Sequence, residues 1–172
     1  MPFRADRVDR RGAGTRVLTD YKTSGPLSWR ATESGRTDEL TTAVARGEHL
    51  QAAAYARLGP DAVGRYVFLR PEGEPPARTM EARGDDRTIA EAFDRALEQL
   101  WWGWDEGVFL PRFVEPDGTR EPSLCRSCEV SEACLRGEST ARLRFLRWLE
   151  SDADEGARSL FLLGREEERR DG

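Results

Sequence analysis

The chain predicts an α/β fold: a mixed central sheet opened by an antiparallel hairpin, with helices flanking it and a Cys-rich segment toward the C-terminus. Three observations carry this. Residues 3–10 and 15–22 are two alternating or β-branched stretches joined at Arg11-Gly12-Ala13-Gly14, a turn signal. Helical periodicity follows them, and strand and helix signals then alternate along the chain. Three cysteines fall between Cys125 and Cys134 and nowhere else.

The elements are read in order. Thr15 to Lys22 is β-branched and aromatic and reads as a strand. Residues 23–36 are rich in Ser, Gly and Pro and read as a loop. Thr37 or Asp38 is the expected cap of a helix running to about Leu58, where Gly59-Pro60 ends it. Tyr66-Val67-Phe68-Leu69 is a short apolar strand, with Arg78–Arg83 as its partner across a Pro/Gly loop. Asp85 or Asp86 starts a helix over about 88–104, with Ile89, Phe93, Ala96, Leu97 and Leu100 on one face. Residues 107–124 are irregular. Another helix spans about 138–151, and Ala157–Leu163 adds a turn or two. The expected organisation is a core over 1–124, a Cys segment over 125–136, a helical segment over 137–164 and a charged, fraying tail over 165–172.

Composition narrows the classes of function. With 38% hydrophobic and 34% charged residues in 172, the chain is globular and charge-rich. It has no apolar run of membrane-spanning length and no export signal, so a cytoplasmic protein is expected. A net charge of −5 excludes a uniformly basic nucleic-acid coat, so any DNA contact is local or helped by metal ions. Of 27 basic residues all are Arg except Lys22. A chain that uses the guanidinium fork everywhere else has a compact ammonium at one position.

That position lies in the hairpin. A turn symmetric about Ala13 sets Arg10 opposite Arg16, Val8 opposite Leu18, Asp6 opposite Asp20 and Arg4 opposite Lys22. Alternation then puts Asp6, Asp20 and Lys22 on one face. Facing carboxylates repel unless a divalent cation lies between them, and oxygen ligands with water suit Mg²⁺ or Mn²⁺. Gln51 and Tyr55 are four apart and project from one side of a helix, with only Ala between them, which permits close backbone approach. His49, the only His, is off the face of Gln51 and reads as a surface or loop-facing residue. Trp101, Trp102 and Trp104 read as packing residues rather than base-stacking ones. Clustered thiols in a chain without an export signal read as ligands for Zn²⁺ or an iron–sulfur cluster.

In order, Ala5-Asp6-Arg7-Val8-Asp9-Arg10, Val17-Leu18-Thr19-Asp20-Tyr21-Lys22-Thr23 and Gln51-Ala52-Ala53-Ala54-Tyr55 resemble the PD-(D/E)XK nuclease superfamily. The branch most resembled is the nuclease domain of RecB- and AddB-type helicase–nucleases. Gly107-Val108-Phe109-Leu110-Pro111 resembles the segment before that branch's cysteines, and Cys125, Cys128 and Cys134 have its Cys-x2-Cys-x5-Cys spacing. The resemblance covers about residues 3–136. It implies a restriction-endonuclease-like fold. It also implies Asp6 and Asp20 as metal ligands, Lys22 as the catalytic lysine, and Gln51 and Tyr55 as further site residues. The three cysteines would be ligands of a [4Fe–4S] cluster whose fourth ligand is absent from this chain, because in that branch the fourth Cys and a helix with a further metal ligand lie upstream; a truncated N-terminus is expected. The function that the resemblance implies is Mg²⁺- or Mn²⁺-dependent hydrolysis of DNA single strands or ends in recombination or repair, with exonucleolytic action and a helicase subunit or domain as partner among its expectations. The alternative is a catalytically incomplete nuclease-like module that binds DNA or a helicase partner and is stabilised by a Cys-bound metal. A small Zn²⁺-binding adaptor is the other rival.

Overall fold

The computed structural model describes residues 4–12, 14–28, 30, 32–70, 75–110, 128–129 and 139–163. Four strands form one sheet in the order β1-β2-β3-β4: β1 (Arg7–Arg11), β2 (Thr15–Lys22), β3 (Ala62–Phe68) and β4 (Thr79–Arg83). β1 and β2 are antiparallel, β2 and β3 parallel, and β3 and β4 antiparallel, so the sheet is mixed, as the sequence predicts. Val8 pairs with Leu18 and Arg10 with Arg16, the register that a turn centred on Ala13 requires.

The parallel step from β2 to β3 needs a crossover, which here holds α1 (Glu33–Ala45) and α2 (Leu50–Ala56). The single helix expected from residue 37 to 58 is therefore two. Thr32 caps the first: its Oγ1 accepts from the Gly35 N–H at 3.2 Å. The start is earlier than Thr37 because Thr32 supplies a cap directly before Glu33, which favours the first turn. The break lies at Arg46-Gly47-Glu48-His49. Gly47 is left-handed with φ +75°, its N–H donates to Val44 O, and the Glu48 N–H donates to Ala43 O. This pair of bonds closes a helix end on glycine. Helical periodicity does not register one glycine among good helix formers.

After β4, Asp86 Oδ1 accepts from the Thr88 and Ile89 N–H groups and caps α3 (Arg87–Asp105). The last two described helices are α4 (Ser139–Ser151) and α5 (Glu155–Leu162). Among the described residues, no helix is long and apolar enough to cross a membrane.

Two compact units emerge. The first holds the sheet and the helices up to Leu100. Its core lies on one sheet face, where Tyr66, Phe68, Met80 and Ala82 meet Leu40 and Val44 of α1, Ala52, Ala53 and Ala56 of α2, and Ile89, Ala92 and Phe93 of α3. The second runs from Trp101 to Leu162, with Leu149, Ala153 and Ala157 buried and Trp102, Phe145, Leu146 and Phe161 packed against them. The expectation that all three clustered Trp residues pack is corrected. Trp102 packs, but Trp101 and Trp104 are 67% and 72% exposed. Residues three apart share a helix face, and Trp102 projects roughly 100° from Trp101.

α2 lies against β3 without intervening side chains. A Cβ on Gly64 would stand 1.8 Å from the Ala52 carbonyl oxygen. Gly64→Ala is expected to destabilise the protein by about 3 kcal/mol, because backbone rather than a flexible side chain must yield. Gly25→Ala, where nothing lies within 4 Å, is expected to be near neutral. Urea denaturation of the two variants checks the difference.

Candidate nuclease-type site

The site forms where β2, β3 and α2 meet. Alternation along β2 sends Asp20 and Lys22 to the face that α2 covers, and the parallel register puts Asp20 beside Tyr66. Lys22 Nζ lies 2.8 Å from Asp20 Oδ2 and donates a hydrogen bond to Gln51 Oε1. It also stands 5.1 Å from the centroid of the Tyr66 ring, within cation–π range. The only Lys of the chain thus has an anion, an amide oxygen and an aromatic face around it.

Asp20 is 8% exposed, and its Oδ2 receives no hydrogen bond among the described residues. The Lys22 ammonium is close enough for an ion pair but off the line of a hydrogen bond. A buried carboxylate oxygen in that state is short of a partner.

Asp6 stands just before the ladder. β1 begins at Arg7, which pairs with Thr19. The Asp6 N–H donates to Thr19 O at 3.0 Å, and its Oδ2 accepts from the Tyr21 N–H at 2.9 Å. The side chain has thus taken a backbone donor of β2, which holds it at the hairpin edge. Asp6 and Asp20 both act on Tyr55, whose phenol is pushed above its ordinary pKa first by burial, then by Asp20, then by Asp6. Tyr55 is 2% exposed, and its hydroxyl donates to Arg4 O at 3.0 Å, tying α2 to the segment that leads into Asp6. Gln51, one turn back on α2, is exposed and opens the site to solvent on that side.

His49 lies in the loop between α1 and α2 and is half-buried. It is the residue from which α2 starts, with φ +50°, and its ring meets Tyr66 edge-on at 5.6 Å. Burial lowers its pKa, Glu48 opposes this, and the Lys22 charge lowers it further.

Sequence reasoning missed Tyr66, reading it only as part of an apolar strand. It is fully buried, with its hydroxyl donating to His49 O at 2.8 Å and accepting from the Ala52 N–H at 3.1 Å. Burial pushes its pKa up to about 12, against the pull of the Ala52 and Gln51 amides. A polar-tipped ring inside a central strand was the available signal, since a buried phenol needs a partner.

Among the described residues, no group of three or more His, Cys, Asp or Glu side chains could hold a metal ion. What is present is Asp20, with an oxygen lacking a hydrogen bond, and Asp6, whose Oδ2 accepts from the Tyr21 N–H. That suits a hard cation of low protein ligation that keeps much of its water, such as Mg²⁺. Cys128 is a half-buried free thiol, and Cys125 and Cys134 lie outside the described residues.

The family model of the PD-(D/E)XK nuclease superfamily matches residues 4–135, which span the whole sheet and the site. No curated protein and no solved structure matches the chain.

The effect of both carboxylates on Tyr55 can be measured. Asp20→Asn is expected to lower the Tyr55 pKa, and Asp6→Asn to lower it by less, because each removes a charge that opposes the phenolate. With three tyrosines in the chain, pH titration of labelled tyrosine ring carbons resolves Tyr55. The sign for stability follows. A raised folded-state pKa gives stability that is present below the unfolded phenol value and lost as pH rises through the folded one. Wild type should therefore lose more stability in alkali than Asp20→Asn.

Proposed function

The chain belongs to the PD-(D/E)XK nuclease superfamily, and from that we propose that it is a metal-dependent deoxyribonuclease domain acting on DNA single strands or ends in recombination or repair. The observation that carries the reading is the placement of Lys22 between Asp20 and Gln51, beside an Asp20 oxygen with no hydrogen-bond donor. Asp6 and Asp20 are the residues that would hold Mg²⁺ or Mn²⁺, which when bound supplies Lewis acidity at the scissile phosphate.

The remaining steps belong to the chain. Lys22 presents a compact positive charge where negative charge develops on the attacking and phosphoryl oxygens. Gln51 holds that ammonium through its Oε1 and, being exposed, also faces an incoming strand. Tyr55 fixes the Arg4 carbonyl and so the approach of the chain to Asp6. An RecB- or AddB-type role, exonucleolytic action and a helicase partner are supported by the Gln51/Tyr55 helix and by the spacing of Cys125, Cys128 and Cys134. The second reading is a catalytically incomplete module that binds DNA or a helicase partner. It is favoured by the absence of a third acidic or His ligand beside Asp6 and Asp20 among the described residues.

Cleavage of end-labelled single-stranded DNA with Mg²⁺ decides between them. Asp20→Asn and Lys22→Ala are each expected to cut the rate by about a hundredfold or more, with the circular dichroism of wild type retained. Lys22→Arg is expected to fail as well, since a planar fork does not replace a point charge. Wild-type rates in Lys22→Ala overturn the nuclease reading. No cleavage by wild type, with DNA binding retained, supports the incomplete module.

Cys125, Cys128 and Cys134 are proposed as three ligands of a [4Fe–4S] cluster. With three thiols the chain is expected to hold less than one cluster after anaerobic purification, measured as iron and sulfide per chain. A full, stable cluster overturns the three-ligand reading, and Zn²⁺ alone overturns the iron–sulfur one.

A further inference from the structure

We propose that Tyr66 is a positioning residue of this site, setting Lys22 with its ring and Gln51 with its hydroxyl. The kinetic part of the proposal rests on the nuclease reading, and the placement of Lys22 rests on geometry alone.

Two facts separate Tyr66 from an ordinary core aromatic. Its ring lies 5.1 Å from Lys22 Nζ, so it presents a π face to the ammonium that also meets Asp20 and Gln51. Its hydroxyl bridges His49 O and the Ala52 N–H, the two backbone groups that flank Leu50 and Gln51. Phe would fill the same space without burying a hydroxyl, so the hydroxyl's role lies in what it binds.

What it binds is the start of a helix whose N-cap residue, His49, makes no side-chain cap. α2 has seven residues. A helix this short does not set its own starting residue. The Tyr66 hydroxyl supplies the missing cap from the neighbouring strand. The starting residue matters because each residue turns the helix by roughly 100°, so a slip of one carries Gln51 away from Lys22. Gly64, two residues earlier on the same strand face, brings the Ala52 backbone within reach of the hydroxyl. Tyr66 therefore sets the Lys22–Gln51 pair from both ends.

The single Lys makes this measurable, since lysine labelled with ¹³C and ¹⁵N gives one side-chain signal. In wild type the Lys22 ε-methylene protons should be shifted upfield of free lysine by the Tyr66 ring, a measurement that needs no variant. Tyr66→Phe should keep that shift, speed hydrogen exchange at the ammonium as Gln51→Ala does, and lower kcat about tenfold with KM for DNA unchanged. Tyr66→Leu should lose the shift as well. A free-lysine shift in wild type overturns the proposal, as does Tyr66→Phe with wild-type ammonium exchange. If wild type does not cleave DNA, the nuclease reading fails by itself and the lysine signal still decides the role of Tyr66.

Discussion

The approach of α2 to β3 at Gly64 is the contact on which the site depends. With the Ala52 carbonyl where a side chain would be, the helix rests on the strand backbone, and the contact itself leaves room only for small residues. Ala52, Ala53 and Ala56 meet that demand at 3% exposure or less. Gln51 and Tyr55, the polar-tipped residues one turn apart, flank the contact and reach past it to Lys22 and the Arg4 carbonyl. A bulkier helix would stand further off, and neither reach would close. The parallel register does the rest by setting Asp20 beside Tyr66.

Much of this was legible because the hairpin carries its register in its own turn. Gly12 and Gly14 flank the symmetric centre, and alternation then assigns Asp20 and Lys22 to one face without knowledge of anything distant. The run of Ala between Gln51 and Tyr55 likewise announced close approach. The division of the crossover into two helices was harder, since one glycine at position 47 in a left-handed turn outweighs a dozen favourable residues. The polar tip of Tyr66 signals that a partner is needed, but not which one, because its partners are backbone atoms 17 and 14 residues away, and backbone atoms have no sequence signature. The thiol spacing rests on residues of which only Cys128 is described.

The face of the sheet opposite the site is tied together by guanidinium groups. Opposite the site, Arg65 turns its fork onto the buried Thr19 hydroxyl at 3.0 and 2.8 Å and reaches Asp9, which Arg7 also holds. Arg11 grips both oxygens of Glu81. These are planar, multidentate ties that suit guanidinium. The more exposed of them contribute little to stability. Arg65 is different because Thr19 is wholly buried and its hydroxyl needs that donor. At the site, the Lys22 ammonium is a charge that three dissimilar neighbours can share without a fixed plane, while Arg16 on the same strand face reaches the Leu58 carbonyl.

The parallel pairing of β2 with β3 joins residues such as Thr19 and Arg65, 46 apart in the chain, across two helices. A loop of that length closes slowly, and the pairing forms only when the crossover is in place. The hairpin needs no such closure, since its strands are adjacent. The hairpin by itself therefore sets Asp20 and Lys22 on one strand face but brings neither Tyr66 nor Gln51 beside them. Pairing of β3 with β2 across the crossover is thus what surrounds Lys22 with Tyr66 and Gln51.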